Sequence, residues 1–380
     1  MNSRLRIAVV GGGPGGLTLA RLLHLQGADV TVFERDAHAL QRPQGGTLDL
    51  HVDAGQRALE RAELQPGFLS IARYEDQGTR LFDMAGQLLF EDRDASRNDR
   101  PEVDRTALRQ LLLESLPAGM IRWDHAVLEL EQEKDDTWSL VFEHSRAGPF
   151  DLVVGADGAW SRVRPLLSSY QPQYSGLTLV EFGVDDVEIC HPRLATLVGR
   201  GKASAQGNGK ALIIQRNANA HLRGYAFFRV PLGWAERRFD FSSPDRVRTQ
   251  LLEEFAGFGG NLVELLRASN SSFVSRPIHA LPIGHCWSHL PGVTLIGDAA
   301  HVMSPFGGDG VNNAMLDALE LADALAATAN LNQAVSRYEQ QMFTRVTDSA
   351  RQAGEGAATF LSHDGQALTL ERYRDHLRAR

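Results

Sequence analysis

The beginning of the chain changes its hydrophobic period twice, in an order typical of alternating strands and helices. Residues 7–10 are apolar, residues 11–16 are rich in glycine, residues 17–25 place leucines at helical spacing, and residues 29–34 are rich in β-branched side chains. An apolar strand, an amphipathic helix and a second strand are typical of a parallel βαβ unit. The pattern therefore predicts a parallel sheet at the start of the chain.

The rest of the chain continues this alternation around a long β-rich middle. Helical periods are found near residues 52–62, 104–116, 244–254, 311–329 and 333–360. Strand patterns are found at residues 122–131 and 138–144, which we expect to form a hairpin, and at 152–154, 176–184, 211–215, 225–230 and 293–296. Between about residues 171 and 273 the alternation indicates a mostly antiparallel sheet that a single helix interrupts.

These elements predict an α/β fold with two interleaved domains and a long C-terminal helix. A length of 380 residues suits two domains. We assign residues 1–72, 100–168 and 276–332 to a discontinuous Rossmann-like domain that binds a dinucleotide. Residues 73–99 and 169–275 form the β-rich substrate domain, and residues 333–380 the C-terminal helix.

Charge and cysteine content exclude several classes of function. The chain carries 39 Lys and Arg against 47 Asp and Glu, a formal net charge of -8 with no basic block, which excludes nucleic acid as the main partner. Cys190 and Cys286 have no metal-ligand spacing, so we expect neither a disulfide scaffold nor a metal site. Since no signal-peptide core or run of roughly 18 apolar residues is present, we expect a cytoplasmic protein without membrane contact. We also expect a monomer.

The first glycine turn, residues 11–16, fits the pattern G-x-G-x-x-G between a strand and a helix. Its first glycine closes a tight turn, its second lets the backbone approach a pyrophosphate, and its third allows the helix to pack on the strand. The helix N-terminus favours an anion, and an acid at the end of the second strand suits an unmodified ribose, as in FAD or NAD. The residues predicted to contact this cofactor are Gly11, Gly13, Pro14, Gly16, Glu34 and Arg35.

Two further glycine-containing turns follow buried strands. Residues 157–164 read DGAWSRVR, and residues 297–301 read GDAAH ahead of the predicted helix start at Gly310. Asp298 can accept a hydrogen bond from a ribitol or ribose hydroxyl, and the N–H groups of Gly310 and Val311 can face an anionic ring or oxygen. Each turn by itself fits a simple strand end. Because both turns follow the first motif along the chain, the three turns together favour a single cofactor site.

The three motifs together resemble those of a known enzyme family. G-x-G-x-x-G with a distal Glu, D-G-x-x-S-x-V-R, and G-D-A-A-H-x-x-x-P-x-x-G-x-G are similar to the FAD-dependent aromatic hydroxylases, the single-component group A flavoprotein monooxygenases with a p-hydroxybenzoate-hydroxylase-like fold. Residues 45–51 (GGTLDLH), 101–109 (PEVDRTALR) and 338–343 (YEQQMF) more narrowly resemble the Tet(X)-type tetracycline-inactivating monooxygenases. That likeness implies a role in antibiotic resistance.

The resemblance implies a set of cofactor contacts beyond the first turn. Arg105 would contact FAD, and the loop of residues 45–50 would lie near the flavin. Asp309 departs from the family pattern, because relatives usually carry Gln there. No side chain is assigned as a catalytic acid or base, and the loop residues placed near the flavin are Pro305, Phe306, Gly307 and Gly310. The cofactor set also includes Gly46, Leu48, Asp49, Asp157, Asp298, Gly308, Val311 and Asn312.

The substrate pocket departs from the tetracycline-inactivating pattern. Glu181, Lys202 and Arg223 stand where those relatives carry Gln, Arg and His, and with Phe306 they are the candidate substrate contacts. Lys202 and Arg223 would favour an anionic enolate or phenolate. A register error of one residue would move a strand's side chains to the other face of the sheet. A structural salt bridge of Glu181 with one of the cations is the alternative.

The resemblance also implies the reaction. FAD would be reduced by transiently bound NADPH or NADH and react with molecular oxygen to a flavin C4a-hydroperoxide. This species would hydroxylate an electron-rich phenolic or enolic, polycyclic or aromatic small molecule, with tetracycline as one candidate. The alternatives are an FAD-dependent reductase or oxidase of the same fold, and a non-catalytic flavoprotein that sequesters its ligand.

Overall fold

The computed structural model describes residues 5–41, 45–92 and 99–378. In these residues the apolar and polar positions form strands and helices. The strands are β1 (Arg6–Val10), β2 (Asp29–Phe33), β3 (Thr47–Asp49), β4 (Gly78–Phe82), β5 (Leu88–Asp92), β6 (Glu102–Asp104), β7 (Ile121–Arg122), β8 (Glu129–Gln132), β9 (Trp138–Val141), β10 (Arg146–Phe150), β11 (Leu152–Gly155), β12 (Gln173–Val184), β13 (Gly201–Gly207), β14 (Lys210–Arg216), β15 (Leu222–Arg229), β16 (Val274–Ala280) and β17 (Val293–Leu295). The helices are α1 (Pro14–Leu25), α2 (Gly55–Arg61), α3 (Gln65–Ile71), α4 (Arg105–Glu114), α5 (Val187–Cys190), α6 (Pro192–Val198), α7 (Trp234–Arg238), α8 (Pro244–Glu254), α9 (Gly260–Arg267), α10 (Asp298–His301), α11 (Gly310–Ala327), α12 (Leu331–Phe360) and α13 (Gly365–Arg378).

The chain divides into two compact units, each built from three segments. Unit 1 consists of Met1–Ala72, Arg105–Gln173 and His279–Gly354, and unit 2 of Arg73–Asp104, Tyr174–Ile278 and Glu355–Arg380. Residues 333–380, which we expected to form a separate C-terminal element, are divided between the two units. The long helix α12 is present, and a second helix, α13, follows it after a tight turn.

Unit 1 contains a five-stranded parallel sheet in the order β17-β11-β1-β2-β7. Val9 lies opposite Val154 on one side and Val32 on the other, and all three side chains are fully buried. Strands covered on both faces are expected to be apolar throughout, which explains the short hydrophobic runs in the sequence. This sheet confirms the predicted Rossmann-like part of the α/β fold.

The predicted hairpin of residues 122–131 and 138–144 is only partly correct. β8 and β9 pair as expected, with β10 as a third antiparallel strand, but β7 pairs with β2 in the parallel sheet. The chain turns at Asp124, whose backbone is left-handed with a φ of 58°. The N–H groups of Asp124 and His125 donate to the carbonyls of Asp36 and Glu34, both at 2.9 Å. The strand therefore breaks where its backbone bonds to a different loop.

Unit 2 is built on a seven-stranded sheet in the order β16-β12-β15-β14-β13-β4-β5. On one face the row Phe182, Gly224, Ile214 and Ala203 is buried in the core. A Cβ at Gly224 would lie 2.2 Å from the Phe182 ring, so glycine leaves room for the phenylalanine. Helices α6, α8 and α9 contribute Leu194, Leu251 and Leu266 to the same core.

The expectation of a single helix in this region is wrong. α5, α6, α7 and α9 are present besides α8, which occupies residues 244–254 as predicted. The first three span only four, seven and five residues. Such short helices complete at most two turns of the helical period, so periodicity could not reveal them.

Two negative findings concern the described part of the chain. None of its helices combines the length and the low charge needed to cross a membrane. It also holds no group of three or more His, Cys, Asp and Glu side chains placed to bind a metal ion.

A buried ionic network connects three helices of unit 1. Asp317 on α11 is fully buried and accepts hydrogen bonds from the Gly297 N–H (2.8 Å), His301 Nε2 (2.6 Å) and Arg345 Nη2 (2.5 Å). Arg345 on α12 also bonds Glu320 at 2.9 Å. Burial alone raises the pKa of Asp317, but the charges of His301 and Arg345 outweigh it and leave that pKa below its ordinary value.

We expect Asp317→Asn to destabilise the protein by about 3 kcal/mol at pH 7, because it leaves the buried Arg345 charge poorly compensated. A carboxylate whose pKa is lowered on folding stabilises the protein above its unfolded pKa of about 3.9 and loses this contribution as the pH falls further. The difference in unfolding free energy from wild type should therefore shrink as the pH falls below about pH 4.

Chemical denaturation at several pH values measures this difference. Asp323→Asn is the matched control, because Asp323 is on the same helix and forms an exposed pair with Arg61 at 2.8 Å. That variant should lose less than about 1 kcal/mol. Equal losses in the two variants would contradict the assigned role of Asp317.

Candidate functional site

The glycines of the first turn differ in the space around them. A Cβ at Gly11, whose φ is 113°, would lie 2.3 Å from the Ala156 carbonyl oxygen, and one at Gly16 would lie 2.2 Å from the Gly11 carbonyl oxygen. No atom lies within 4 Å of the corresponding position at Gly13. Gly11 and Gly16 are therefore required for backbone packing, and Gly13 borders open space that a ligand can fill.

This open space adjoins the N-terminus of α1. Gly13 is the N-cap residue, Pro14 follows it, and no side chain among the described residues caps the helix. The first turn also contains no acidic residue. The N–H groups of the first helical turn and the helix dipole together favour an anion such as a pyrophosphate.

Glu34 lies directly beside the glycine turn. Its carboxylate is buried and accepts hydrogen bonds from the N–H of Gly12 at 2.6 Å and of Asp36 at 3.0 Å. One N–H is bound to each oxygen, and a carboxylate oxygen can accept a second hydrogen bond. Glu34 therefore shapes the turn and retains the capacity to accept a bond from a ribose hydroxyl. Arg35, which we also predicted as a contact, is exposed.

Arg109 is a site residue that the sequence analysis did not single out. This arginine of helix α4 is almost fully buried, with 3% of its side chain exposed. It donates to the carbonyls of Gly12 at 3.2 Å and Ala39 at 2.5 Å, and its guanidinium lies 5.5 Å from the centre of the Trp123 ring. The sequence feature that could have identified Arg109 is its position among the apolar residues of this helix, between Leu108 and Leu112.

Asp157 begins the second motif, directly after β11. Its Oδ2 accepts the Arg162 N–H at 2.7 Å, and burial raises the pKa of this carboxyl group. Its Oδ1 is buried and, within residues 5–41, 45–92 and 99–378, has no hydrogen-bond partner. A buried oxygen in this state can accept a hydrogen bond from a ligand, which fits the predicted cofactor contact.

Arg164 connects the second motif to the third. Its guanidinium is buried and donates to the Ala299 carbonyl at 3.0 Å and to the Ala159 carbonyl at 2.7 Å. His285 supports the same loop through its Nδ1, which lies 2.8 Å from the Ala300 carbonyl oxygen. A carbonyl oxygen only accepts, so Nδ1 donates this bond, and burial lowers the pKa of His285. Asp298, the N-terminal residue of α10, is exposed beside this supported loop.

Asn312 brings the loop of residues 45–51 to the start of α11. Its Oδ1 accepts the His51 N–H at 2.9 Å, and its Nδ2 donates to the Asp49 carbonyl at 2.8 Å. A Cβ at Gly308 would lie 3.2 Å from Asp49 Oδ1, and the Arg105 N–H lies 3.3 Å from the Gly46 carbonyl oxygen. The structure therefore brings these predicted residues of the cofactor site together.

The remaining predicted residues of this site lie on the same two segments. Leu48 is in β3, Pro305, Phe306 and Gly307 form a 3-10 turn, and Gly310 and Val311 open α11. Their contacts to a cofactor stay predictions.

The candidate substrate residues of unit 2 share one face of its sheet. Lys202 on β13 and Arg223 on β15 both lie opposite Gln215 of the strand between them, so they are on the same face. Arg223 in turn lies opposite Gly183 of β12. Glu181 lies two residues before Gly183 and so points to the same side. This face is the one opposite the apolar core, and Lys202 is exposed on it. The register assumed from the sequence is therefore consistent with a common polar face.

Glu181 forms the ion pair that we had left open as its alternative role, and it does so with two arginines. Its Oε1 accepts a hydrogen bond from Arg223 Nη1, and its Oε2 lies 2.5 Å from Arg276 Nε. The carboxylate is 7% exposed, whereas Arg276 is 48% exposed. Two guanidinium groups on one carboxylate leave one positive charge in excess among these three side chains. Arg276 was missed because it lies 95 residues from Glu181 in the sequence.

Comparisons with known proteins agree with these motifs. The model of a family described as FAD binding domain matches residues 4–353. The chain is 33% identical to Monooxygenase penA of Penicillium thymicola over 92% of its own length and 90% of that protein. It is 30% identical to 3-amino-4-hydroxybenzoate 2-monooxygenase PtmB3 of Streptomyces platensis over 97% and 92% of the two chains.

Solved structures confirm the predicted fold class. The structure of HpxO from Klebsiella pneumoniae, complexed with FAD and uric acid, matches 99% of this chain and 93% of its own with a TM-score of 0.81 and 22% identity. The structure of the tetracycline destructase Tet(51) covers 99% of this chain and 96% of its own, with a TM-score of 0.73 and 21% identity. At these identities the likeness shows the fold alone.

Gly13→Ala and Gly16→Ala should separate binding from folding. We expect Gly16→Ala to cost about 1–3 kcal/mol of unfolding free energy, because its Cβ collides with the Gly11 carbonyl. Gly13→Ala should leave the unfolding free energy within about 0.5 kcal/mol of wild type and weaken FAD binding by about 10-fold, because its methyl group enters open space. Denaturation of the apoprotein and FAD fluorescence quenching measure the two effects. Loss of stability in Gly13→Ala with unchanged FAD affinity would reverse these roles.

Proposed function

The chain belongs to the FAD-dependent monooxygenases, and on that premise we propose that it hydroxylates an electron-rich aromatic or enolic small molecule. The co-substrates are NADPH or NADH, bound transiently, and molecular oxygen. The observation that carries the proposal is the set of anion-binding and hydroxyl-accepting groups around the ends of β1, β11 and β17. The monooxygenase relatives at 30% identity or more favour oxygen transfer over the reductase, oxidase and sequestering alternatives.

The residues present fit FAD. The open position at Gly13 and the N-terminus of α1 suit its pyrophosphate, and Glu34 suits the ribose of its adenosine. Asp157 and Asp298 offer acceptors for further hydroxyls, and the start of α11 offers N–H donors to the flavin ring. Bound FAD supplies the redox chemistry, whereas the protein holds the cofactor and orients and desolvates the substrate.

We assign substrate binding to the polar face of the sheet in unit 2. Glu181 is shared by Arg223 and Arg276, so these three side chains together carry one positive charge in excess, and Lys202 lies on the same face. An anionic phenolate, enolate or carboxylate is the chemistry that this face favours. The name of the relative PtmB3 gives 3-amino-4-hydroxybenzoate as its substrate, which is an aromatic compound of this class.

Tetracycline remains one candidate within this class. The likeness to Tet(51) at 21% identity supports the fold and not the substrate. The positions where tetracycline-inactivating relatives carry Gln and His hold Glu181 and Arg223 here, and these two side chains bind each other. We therefore propose a smaller anionic aromatic compound ahead of a tetracycline.

A product survey tests the function. We expect the FAD-loaded protein to convert hydroxybenzoates and aminohydroxybenzoates to products that contain one additional oxygen atom, and to do so faster than neutral phenols, because of the charge on the substrate face. Mass spectrometry with isotopically labelled oxygen, NADPH or NADH, and tetracycline as a further substrate makes the measurement. Reactions without substrate provide the background of cofactor oxidation. Hydrogen peroxide as the sole product with every compound would contradict the proposal.

Lys202→Ala and Arg276→Gln should each raise the KM for the anionic substrate by about 3- to 10-fold without loss of bound FAD, because each removes one positive charge from the substrate face. Arg276→Gln retains the ion pair of Glu181 with Arg223. Steady-state kinetics and the flavin-to-protein absorbance ratio are the measurements. Lys134→Ala, in the exposed turn between β8 and β9, is the matched control and should change neither quantity. An unchanged KM in both variants would place substrate binding elsewhere.

A further inference from the structure

A histidine and an aspartate extend the polar face of the unit 2 sheet beyond its paired strands. Asp185 directly follows the last paired residue of β12, and His221 directly precedes the first paired residue of β15. Because side chains alternate along a strand, both lie on the side of the sheet that holds Gly183 and Arg223. There the two side chains meet, with His221 Nδ1 at 2.8 Å from Asp185 Oδ1. The face that we assign to the substrate therefore continues into a His–Asp pair.

Asp185 fixes the tautomer of the neutral imidazole. A carboxylate oxygen only accepts, so Nδ1 of His221 donates this bond and Nε2 keeps its lone pair. Asn270 holds the pair in place, because its Nδ2 donates to Asp185 Oδ2 at 3.0 Å and its backbone N–H donates to the Gly183 carbonyl at 2.7 Å. The hydrogen bonds from Asn270 and His221 keep the pKa of Asp185 below its ordinary value, although burial raises it. His221 Nε2 is thus a fixed hydrogen-bond acceptor.

Gly183 leaves room for the imidazole of His221. A Cβ at Gly183 would lie 2.6 Å from His221 Cε1 and 3.0 Å from His221 Nε2. Gly183 lies between Asp185 and Glu181 on the same face of β12. The ring therefore leans from Asp185 toward Glu181, and its Nε2 lies over the glycine.

His221 Nε2 is buried and has no hydrogen-bond partner along residues 5–41, 45–92 and 99–378. The same is true of the Nε of Arg223, which lies opposite Gly183 in the strand register. Each of the two side chains is nonetheless 21% exposed, so this pair of atoms is at the surface of the sheet and not in its core. Buried polar atoms without a partner are rare, and a bound ligand can satisfy them. An acceptor and a donor beside one glycine match a hydroxyl group, because a hydroxyl both donates and accepts.

We propose that His221 is a specificity residue of the polar face, whose Nε2 accepts a hydrogen bond from a hydroxyl group of the substrate. The inference rests on the proposed function, which places the substrate on this face. A site built to bond a hydroxyl discriminates against analogues that lack it, because its own polar atoms are then left unpaired. His221 therefore selects for a hydroxyl, whereas the neighbouring arginines select for an anion.

The position of His221 narrows the class of substrate further. Gly183 and Glu181 are two residues apart, which is about 7 Å along a strand. This distance is comparable with the separation of two substituents on opposite sides of an aromatic ring. An anionic group bound at Arg276, which pairs with Glu181, leaves such a ring with its far side at His221. The substrate is then a ring that carries an anionic group and a hydroxyl at positions that are not adjacent.

A cycle that removes the hydroxyl and the imidazole separately tests this inference. The compounds are benzoate, 3-hydroxybenzoate and 4-hydroxybenzoate, which share one carboxylate, so that the contribution of the arginines cancels. The FAD-loaded wild type should bind at least one hydroxybenzoate about 3- to 10-fold more tightly than benzoate. In His221→Phe, which keeps a ring but has no acceptor, this preference should fall below about 2-fold while benzoate binds as before. Isothermal titration calorimetry at pH 7.5 measures all the affinities.

Gly183→Ala tests the placement of the ring without changing His221. Its Cβ would displace the imidazole, so the preference for a hydroxyl should fall as it does in His221→Phe. Gly257→Ala is the matched control, because no atom lies within 4 Å of the position of its Cβ, and it should keep the wild-type preference. Circular dichroism and the flavin-to-protein absorbance ratio show whether each variant folds and holds FAD. His221→Phe decides the question if Gly183→Ala fails to fold.

Two results would overturn the inference. One is a wild type that binds benzoate as tightly as both hydroxybenzoates, and the other is a preference for the hydroxyl that persists unchanged in His221→Phe. Neither result depends on turnover. The survey of products with labelled oxygen decides the proposed function separately, so that a failure of His221 as a specificity residue is distinguishable from a failure of the monooxygenase assignment.

Discussion

The close approach of backbone segments at the end of the parallel sheet is the constraint on which the cofactor site depends. Gly11 touches the Ala156 carbonyl, and Gly16 touches the Gly11 carbonyl, so that β1, α1 and β11 meet without intervening side chains. Only at such short distances do the N-terminus of α1, Glu34 and Asp157 border the same space. Any side chain at Gly11 or Gly16 would separate the elements that provide these groups.

Buried charges then hold the loops around that space. Arg109 bonds the glycine turn, Arg164 bonds the loop after β17, and Asp317 bonds the same loop from the other side through Gly297 and His301. Each of these side chains is buried and bonds backbone carbonyls or N–H groups that no regular structure satisfies. Such interactions add modest stability but fix loop geometry, because a buried charge without its partners is costly. The protein's contribution to flavin chemistry is therefore mainly the placement of a few loops.

The sheet of unit 2 has one apolar and one polar face. Phe182, Ile214 and Ala203 point into the apolar core, whereas Glu181, Arg223 and Lys202 point to the opposite side. Because side chains alternate along a strand, the face toward the core fixes the face that carries the charges. Substitutions on the polar face can thus change its charge while the core and the strand register stay the same.

The sequence by itself determined those features that depend on local backbone rules. The β1–α1–β2 unit, the glycine turn, the strands that precede Asp157 and Asp298 and the helices α8 and α11 follow from short-range periodicity and from the conformational freedom of glycine. Only the tertiary structure decided which distant side chains meet. Glu181 with Arg276, Arg109 with Gly12, and His221 with Asp185 are separated by 95, 97 and 36 residues, and the break of the predicted hairpin at Asp124 arises from bonds to the loop at Asp36. A local pattern specifies the face on which a residue lies, but the residue that it meets there is set by how separate segments pack together.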